Sequence, residues 1–320
     1  MFLPAGFTTK LVAVLFLANF GVVGFVGNSL IYYFISKRKK TVGFLQKSAF
    51  VRNLNLYIKS LALSEILCSM ISIPLFCIQI TVDVFQRHTW ACKLVRYFNI
   101  LFPTVTINNL IVISMERYFA TRKVPRTFSV ARVRKLIWAA WIVGLIHVLG
   151  PAAAVDGIPY DLDDTHYTVM CKPDISYRVF QIICASHGVI QYLIPSLILI
   201  YFNISIAITM WGRQKRKVDI QSSNAIREGL KAATIRGTYL LVAITLSFIV
   251  SNSGVYYYAI YSTSMAKDPP DFRAQFITRC FFSGLIFSNS ILNVIIYLIQ
   301  MEDFRAFIKG LFFKKAAKAS

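Results

Sequence analysis

Glu116-Arg117-Tyr118 closes the apolar stretch 112–120 and stands directly before the basic stretch 122–126. An unpaired guanidinium at the edge of an apolar segment is costly to bury. Glu116 can neutralise Arg117 and hold it in one position. The competing reading is an arginine at a helix end whose charged tip simply reaches back to water. A second group of polar residues, Glu65, Thr106, Asn289 and Asn293, lies inside apolar runs. A carboxylate in such a place needs a cation, a proton or hydrogen-bond donors. Catalysis has no comparable constellation: His88, His147, His166 and His187 are dispersed, and no nucleophile–base or metal-ligand cluster is legible, so an enzyme is not expected.

Long apolar elements must carry these residues. Of the 320 residues 56% are hydrophobic and 15% charged, with a mean hydropathy of +0.58, whereas soluble chains carry about 25% charged residues. Seven apolar runs lie near Leu11–Ser36, Leu54–Val82, Leu94–Ala120, Leu136–Val155, Val179–Trp211, Ala233–Thr263 and Phe276–Ile299. Each is long enough to cross a hydrocarbon core of ~30 Å as a helix. The expected class is therefore an all-α membrane protein, a seven-transmembrane helix bundle. The first run is too long for the core of a secretory signal, and Lys37-Arg38-Lys39-Lys40 follows it as a stop-transfer flank.

Most of the 35 Lys and Arg crowd alternate loops and the tail, among them Lys47, Arg52, Arg122, Lys123, Arg126, Arg213, Lys215, Arg216, Lys217, Arg305 and Lys309. That placement sets topology and attracts anionic membrane lipid, and it argues against nucleic acid as the partner of the +21 charge. It puts these loops and the C-terminus in the cytoplasm and the N-terminus outside, in the plasma membrane. Of six cysteines, Cys92 and Cys171 face the oxidising side and are expected to bridge; Cys68, Cys77, Cys184 and Cys280 lie in or near spans as packing residues. Residues 1–302 read as the membrane domain and 303–320 as a short amphipathic eighth helix and tail. Phe304, Phe307, Ile308, Leu311 and Phe312 form one apolar face of that helix, and Arg305, Lys309 and Lys314 are available to headgroups.

Further motifs recur in order along the spans. They are Gly27-Asn28; Leu61-Ala62-Leu63-Ser64-Glu65; Cys92 standing 25 residues before Arg117; Glu116-Arg117-Tyr118; Trp141 and Pro151; Pro195; Asn293-Val294-Ile295-Ile296-Tyr297; and Phe304. Together they resemble the rhodopsin-like class of G-protein-coupled receptors over nearly the whole chain. The resemblance implies that activation frees Arg117 to engage a heterotrimeric G protein as the sixth helix swings outward. Glu116, Tyr118, Asn293 and Tyr297 would share in that switch. It also implies an interior sodium and water pocket lined by Glu65, Thr106, Asn289 and Asn293. There Glu65 either gives a ligand to an allosteric Na⁺, stays neutral through desolvation, or anchors a hydrogen-bonded knot between helices.

The sequence departs from the class in its sixth helix, usually F-x-x-C-W-x-P. Here Phe248 is followed by Ser251-Asn252 and Gly254, so the Trp and the Pro are both absent. Gly254 allows a bend, and Asn252 is placed to join the polar pocket. Asn203 replaces a Tyr, Val294 a Pro and Glu65 an Asp of the class pattern. These changes bear on the activation trigger more than on the fold.

Asn99 stands where amine receptors carry an Asp, which disfavours a monoamine. Phe287 stands where opsins carry the retinal lysine, which excludes Schiff-base light sensing. The expected ligand is a peptide or small non-amine molecule in the outer half of the bundle. Its walls would be Arg96, Asn99, Phe102, Tyr192, Tyr256 and Tyr257. Asp156, Asp161, Asp163 and Asp164 either attract a basic peptide or form a solvated acidic loop, and Arg96 could meet a carboxylate. The alternatives are a non-signalling seven-helix scaffold or dimer partner, and a channel or transporter marked by Glu65, Lys59 and Arg117. The second lacks the internal repeat and broken helix pairs of transporters.

Overall fold

The computed structural model describes residues 6–38, 49–82, 88–122, 126–161, 167–174, 176–215, 225–264 and 272–316. Among these, seven helices are long and apolar enough to cross a membrane: Phe7–Lys37, Val51–Thr81, Thr89–Ala120, Val130–Ala153, Arg178–Gly212, Ile235–Gly254 and Ala274–Gln300. They are the first to seventh spans below. Without water in a hydrocarbon core, backbone groups must be satisfied within the segment, so each apolar run becomes a helix.

Two spans change pitch in mid-course. In the second, a π turn at Cys68–Ser72 precedes the helical segment Ile73–Thr81; in the fifth, a π turn at Val189–Leu193 precedes Ile194–Lys215. In both, a proline (Pro74, Pro195) is the second residue of the following segment. Proline has no N–H and crowds the carbonyl four residues earlier, here that of Met70 or Gln191. The wider π turn relieves both problems. Pro103 is carried inside the third span without such a turn. Ser129 starts the fourth span by accepting a hydrogen bond from the Arg132 amide.

The third span has the largest buried share of the seven, 61% of its most apolar window, and the first the smallest, 17%. The third is therefore the central column, and the first presents most of its apolar side outward, as a lipid-facing helix does. The first span still approaches the seventh closely. A Cβ on Gly27 would stand 2.5 Å from Val294 Cγ2, and one on Gly24 2.8 Å from Ser290 Cβ. Asn28, fully buried, donates to the Gly24 and Ser290 carbonyls at 2.8 and 3.1 Å. Trp141 donates to Ser60 and Ser60 to Asn109, tying the fourth, second and third spans together.

One end of the bundle is covered by a hairpin that the all-α reading did not foresee. Strand β1 (Val155–Asp161) pairs antiparallel with β2 (Tyr167–Pro173), Gly157 opposite Cys171. The expected bridge is present: Cys171 joins Cys92 at the head of the third span, with a Cα–Cα distance of 5.5 Å. Cys68, Cys77, Cys184 and Cys280 are free. Thr89 donates to the Asp156 carboxylate at 2.5 Å, and the Gly157 amide does so at 2.7 Å. Asp156 thus fastens β1 to the third span; Asp163 and Asp164 lie outside the described residues.

At the opposite end a helix, Glu302–Ala316, follows the seventh span. Phe304 is buried, and with Phe307 it packs on Phe34 of the first span at 5.4 and 5.3 Å. Ile308 joins the same cluster, whereas Leu311 is exposed and the side chains of Phe312 and Lys314 lie outside the described residues.

Candidate functional site

The third span positions most of the chemistry. At the end away from the bridge, Glu116 and Arg117 are only 1% and 3% exposed. Arg117 Nη2 lies 3.6 Å from Glu116 Oε2, an ion pair looser than a charge-assisted hydrogen bond. Asn53, one turn into the second span's helix, donates from Nδ2 to Glu116 Oε1 at 2.5 Å and to the Phe128 carbonyl at 2.9 Å. The carboxylate is therefore held from two sides: by its sequence neighbour, and by a helix that also grips the loop beyond. Tyr118 points elsewhere, toward the fifth span, with its hydroxyl 3.4 Å from that of Tyr201 and its ring 5.1 Å from Phe202; it also accepts a hydrogen bond from Arg122. Ile113, Leu240, Leu241, Ile244 and Tyr297 belong to one apolar cluster that packs the third, sixth and seventh spans together near this end. Arg236 pairs with Glu302 at 3.2 Å outside it.

In mid-bundle, three donors from the seventh span converge on the buried Glu65. Asn289 Nδ2 and Asn293 Nδ2 reach Oε1 at 2.6 and 3.3 Å, and Ser290 Oγ reaches Oε2 at 2.5 Å. Thr106 is not in this group; its hydroxyl lies 3.0 Å from that of Ser64. A small cavity, roughly the size of one water, lies beside Glu65 and is lined also by Cys68, Phe102, Pro103, Phe248, Asn252, Ile286 and Asn289. Phe102 thus borders this interior cavity, and Asn252 joins it as expected. Asn252 also donates to the Phe248 carbonyl of its own helix. The helix Ala225–Ser264 runs unbroken through Gly254, where a Cβ would stand 2.7 Å from Phe282. Gly254 lets the sixth and seventh spans touch and makes no break in the helix.

The bridged half holds the remaining candidates. Arg96 and Asn99 are one turn apart on the third span; Arg96 Nε and Asn99 Oδ1 are buried without a hydrogen-bond partner among the described residues. Tyr256, on the helix that continues the sixth span, and Cys184 of the fifth lie within electrostatic reach of Arg96. Tyr192 and Tyr256 stack with ring centroids 4.1 Å apart and planes 14° off parallel, and Tyr192 donates to the Ile249 carbonyl. The side chain of Tyr257 lies outside the described residues.

Several partners escaped the sequence reading. Ser290 was legible in principle, as part of the polar run Ser288-Asn289-Ser290 inside an apolar span. Asn53 was not, because the second helix begins at Ala49, five residues before the apolar run that announced it. His147 and His187, dispersed in sequence, meet across the fourth and fifth spans with Nε2 and Nδ1 3.0 Å apart.

Comparison with known proteins agrees with this geometry. The sequence pattern of the seven-transmembrane receptor (rhodopsin family) matches residues 27–297. Probable G-protein coupled receptor 19 of Homo sapiens is 23% identical over 296 residues, 91% of this chain and 65% of that protein. The QRFP-like peptide receptor of Branchiostoma floridae is 23% identical over 315 residues, 92% of this chain and 76% of that one. The chain thus spans less than two thirds of the length of the human relative. The crystal structure of squid rhodopsin superposes with a TM-score of 0.72 at 18% identity, covering 96% of this chain and 86% of that one; at that identity the likeness speaks for the fold.

Proposed function

The chain belongs to the rhodopsin family of seven-transmembrane receptors, and on that premise we propose that it binds an extracellular ligand and activates a heterotrimeric G protein. The observation that carries the reading is the buried Glu116–Arg117 pair, further held by Asn53, at the end of an apolar layer that joins the third, sixth and seventh spans. Outward motion of the sixth helix would part Leu240, Leu241 and Ile244 from Ile113 and Tyr297 and open the way to Arg117. A ligand acts by binding this open state better than the closed one. The bridged end faces outward and the Arg117 end the cytoplasm of a plasma-membrane protein, in keeping with the basic loops. The ligand is a peptide or a small non-amine molecule.

The test is agonist-free nucleotide exchange by several G-protein classes in membranes carrying the chain. Exchange above empty membranes, lowered by Arg117→Ala and raised by Glu116→Gln, supports the reading and identifies the coupling partner. A specific observation favours a second reading: the sixth helix is unbroken where the family pattern has its Trp and Pro. A seven-helix scaffold or dimer partner would leave every version level with empty membranes.

For Na⁺, hard cations take oxygen ligands, and the oxygens here fit. Glu65 supplies the charge, and the Oδ1 atoms of Asn289 and Asn293 are buried without partners among the described residues. These groups would hold the ion where the second, third, sixth and seventh spans meet. Sodium chloride should then raise the melting temperature above that in choline chloride, and Glu65→Gln should remove the difference. An equal response to both salts argues for the hydrogen-bonded knot alone.

A further inference from the structure

Two arginines set within the spans of the bridged half, Arg279 and Arg96, differ in their circumstances. Arg279 of the seventh span donates to Gln79 at 2.8 Å and lies over the Phe76 ring at 5.6 Å. Arg96 makes no hydrogen bond or ion pair among the described residues, although its Nε is enclosed. Its neighbours are Cys184 and His187 of the fifth span and Tyr256 on the helix that continues the sixth. None is an acid. The Nδ1 atom of His187 is engaged with His147. The adjacent hairpin's Asp156 is occupied by Thr89 and Gly157. Burying part of a guanidinium with no counter-charge among the described residues is unfavourable, and such an arrangement is suited to a site where something else supplies the charge.

We propose that the region between the third, fifth and sixth helices on the side of the Cys92–Cys171 bridge is an anion site, in which Arg96 is the counter-ion for a carboxylate-bearing ligand. The planar guanidinium can meet both carboxylate oxygens at once. The stacked Tyr192 and Tyr256 rings offer an apolar wall beside it, the mixture of a few placed polar groups and aromatic surface that small-ligand sites use. Asn99, one turn deeper, adds a buried carbonyl able to accept a second hydrogen bond from the ligand. This deepens the receptor reading by naming the ligand's chemistry. A soluble acid and a fatty acid entering from the bilayer share that chemistry.

The test uses thermal unfolding of the full chain in detergent, with N-acetylphenylalanine and oleate as the two acids and N-acetylphenylalaninamide and oleamide as their neutral counterparts. At millimolar concentration one of the acids should raise the melting temperature by roughly 2–4 °C, as mass action predicts for a ligand a few-fold above its Kd, and its amide should not. A response to N-acetylphenylalanine alone identifies a water-borne acid, and a response to oleate alone a membrane-borne one. Arg96→Met should abolish the response and raise the melting temperature of the ligand-free chain, because it removes an uncompensated charge. Arg96→Lys should keep the preference for acid over amide with a smaller shift. Equal effects of acid and amide, no effect of either acid, an intact response in Arg96→Met, or a lower ligand-free melting temperature in that variant would each overturn the proposal. The readout needs no G protein, so a failure here leaves the signalling reading standing. Silence in the exchange assay equally leaves the anion site standing.

Discussion

At the scale of single residues, the chain isolates its charges inside apolar surroundings and gives nearly every one a specific partner. Glu65 has three donors from one helix, and Glu116 has Arg117 from its own helix and Asn53 from another. The Asn53 bond is the shorter and the more directional contact to Glu116. Hydrogen bonds to charged groups contribute about 1.5–3 kcal/mol. Asn53→Ala should therefore loosen the resting pair by about 1–2 kcal/mol, a 5–30-fold shift in the equilibrium. The expected outcome is raised agonist-free nucleotide exchange, comparable with that of Glu116→Gln. Exchange unchanged by Asn53→Ala while Glu116→Gln raises it would assign the restraint to Arg117 alone.

At the scale of elements, close helix approach is decided by glycines and by where prolines fall. Small residues let helices meet where no hydrophobic force between lipid-embedded surfaces pulls them together. Gly27 is the sharpest case, since its added Cβ would overlap Val294 Cγ2 at 2.5 Å. Gly27→Ala should destabilise the bundle by about 1–3 kcal/mol, the usual cost of overpacking, and Val294→Ala should return most of the loss when combined with it. Melting temperatures of the two single variants and the double variant measure that coupling, and strict additivity would mean that the seventh span simply moves away. Pro74 and Pro195 mark their π turns in the same local way, whereas Pro103 sits in the third span without one.

At the scale of the whole molecule, the hairpin β1–β2 and the Cys92–Cys171 bridge cap one end, and the Glu302–Ala316 helix braces the other through Phe304 on Phe34. The bridge closes a sequence separation of 79 residues. Replacing both cysteines with Ala should lower stability by about 2–4 kcal/mol. It should also weaken any ligand response in the half that contains Arg96, because β1 is then held to the third span chiefly through Thr89 and Asp156. Thermal unfolding with and without reductant checks the first effect, and the acid-induced shift in melting temperature checks the second. An unchanged melting temperature would show that the hairpin's hydrogen bonds suffice.

Sequence alone determined the seven spans and the bridged cysteine pair. It also picked out Glu116 with Arg117, and the lone carboxylate Glu65, whose grouping with Asn289 and Asn293 the family resemblance implied. Those features follow from local rules: a hydrocarbon core needs some twenty apolar residues per helix, charges inside it must be accounted for, and adjacent residues on one helix cannot separate. Only the tertiary structure decided which groups from different helices meet. Thr106 turns to Ser64, Tyr118 faces the fifth span, and Phe102 borders the interior cavity. Ser290 and Asn53 complete the two carboxylate sites, and His147 finds His187. The reason is rotational setting. Helix packing fixes which face each span turns inward, and that angle depends on contacts such as Gly27 on Val294 and on π turns that shift the register of the residues beyond them. The apolar pattern of a lipid-embedded helix, hydrophobic on nearly every side, records its length faithfully and its rotation hardly at all.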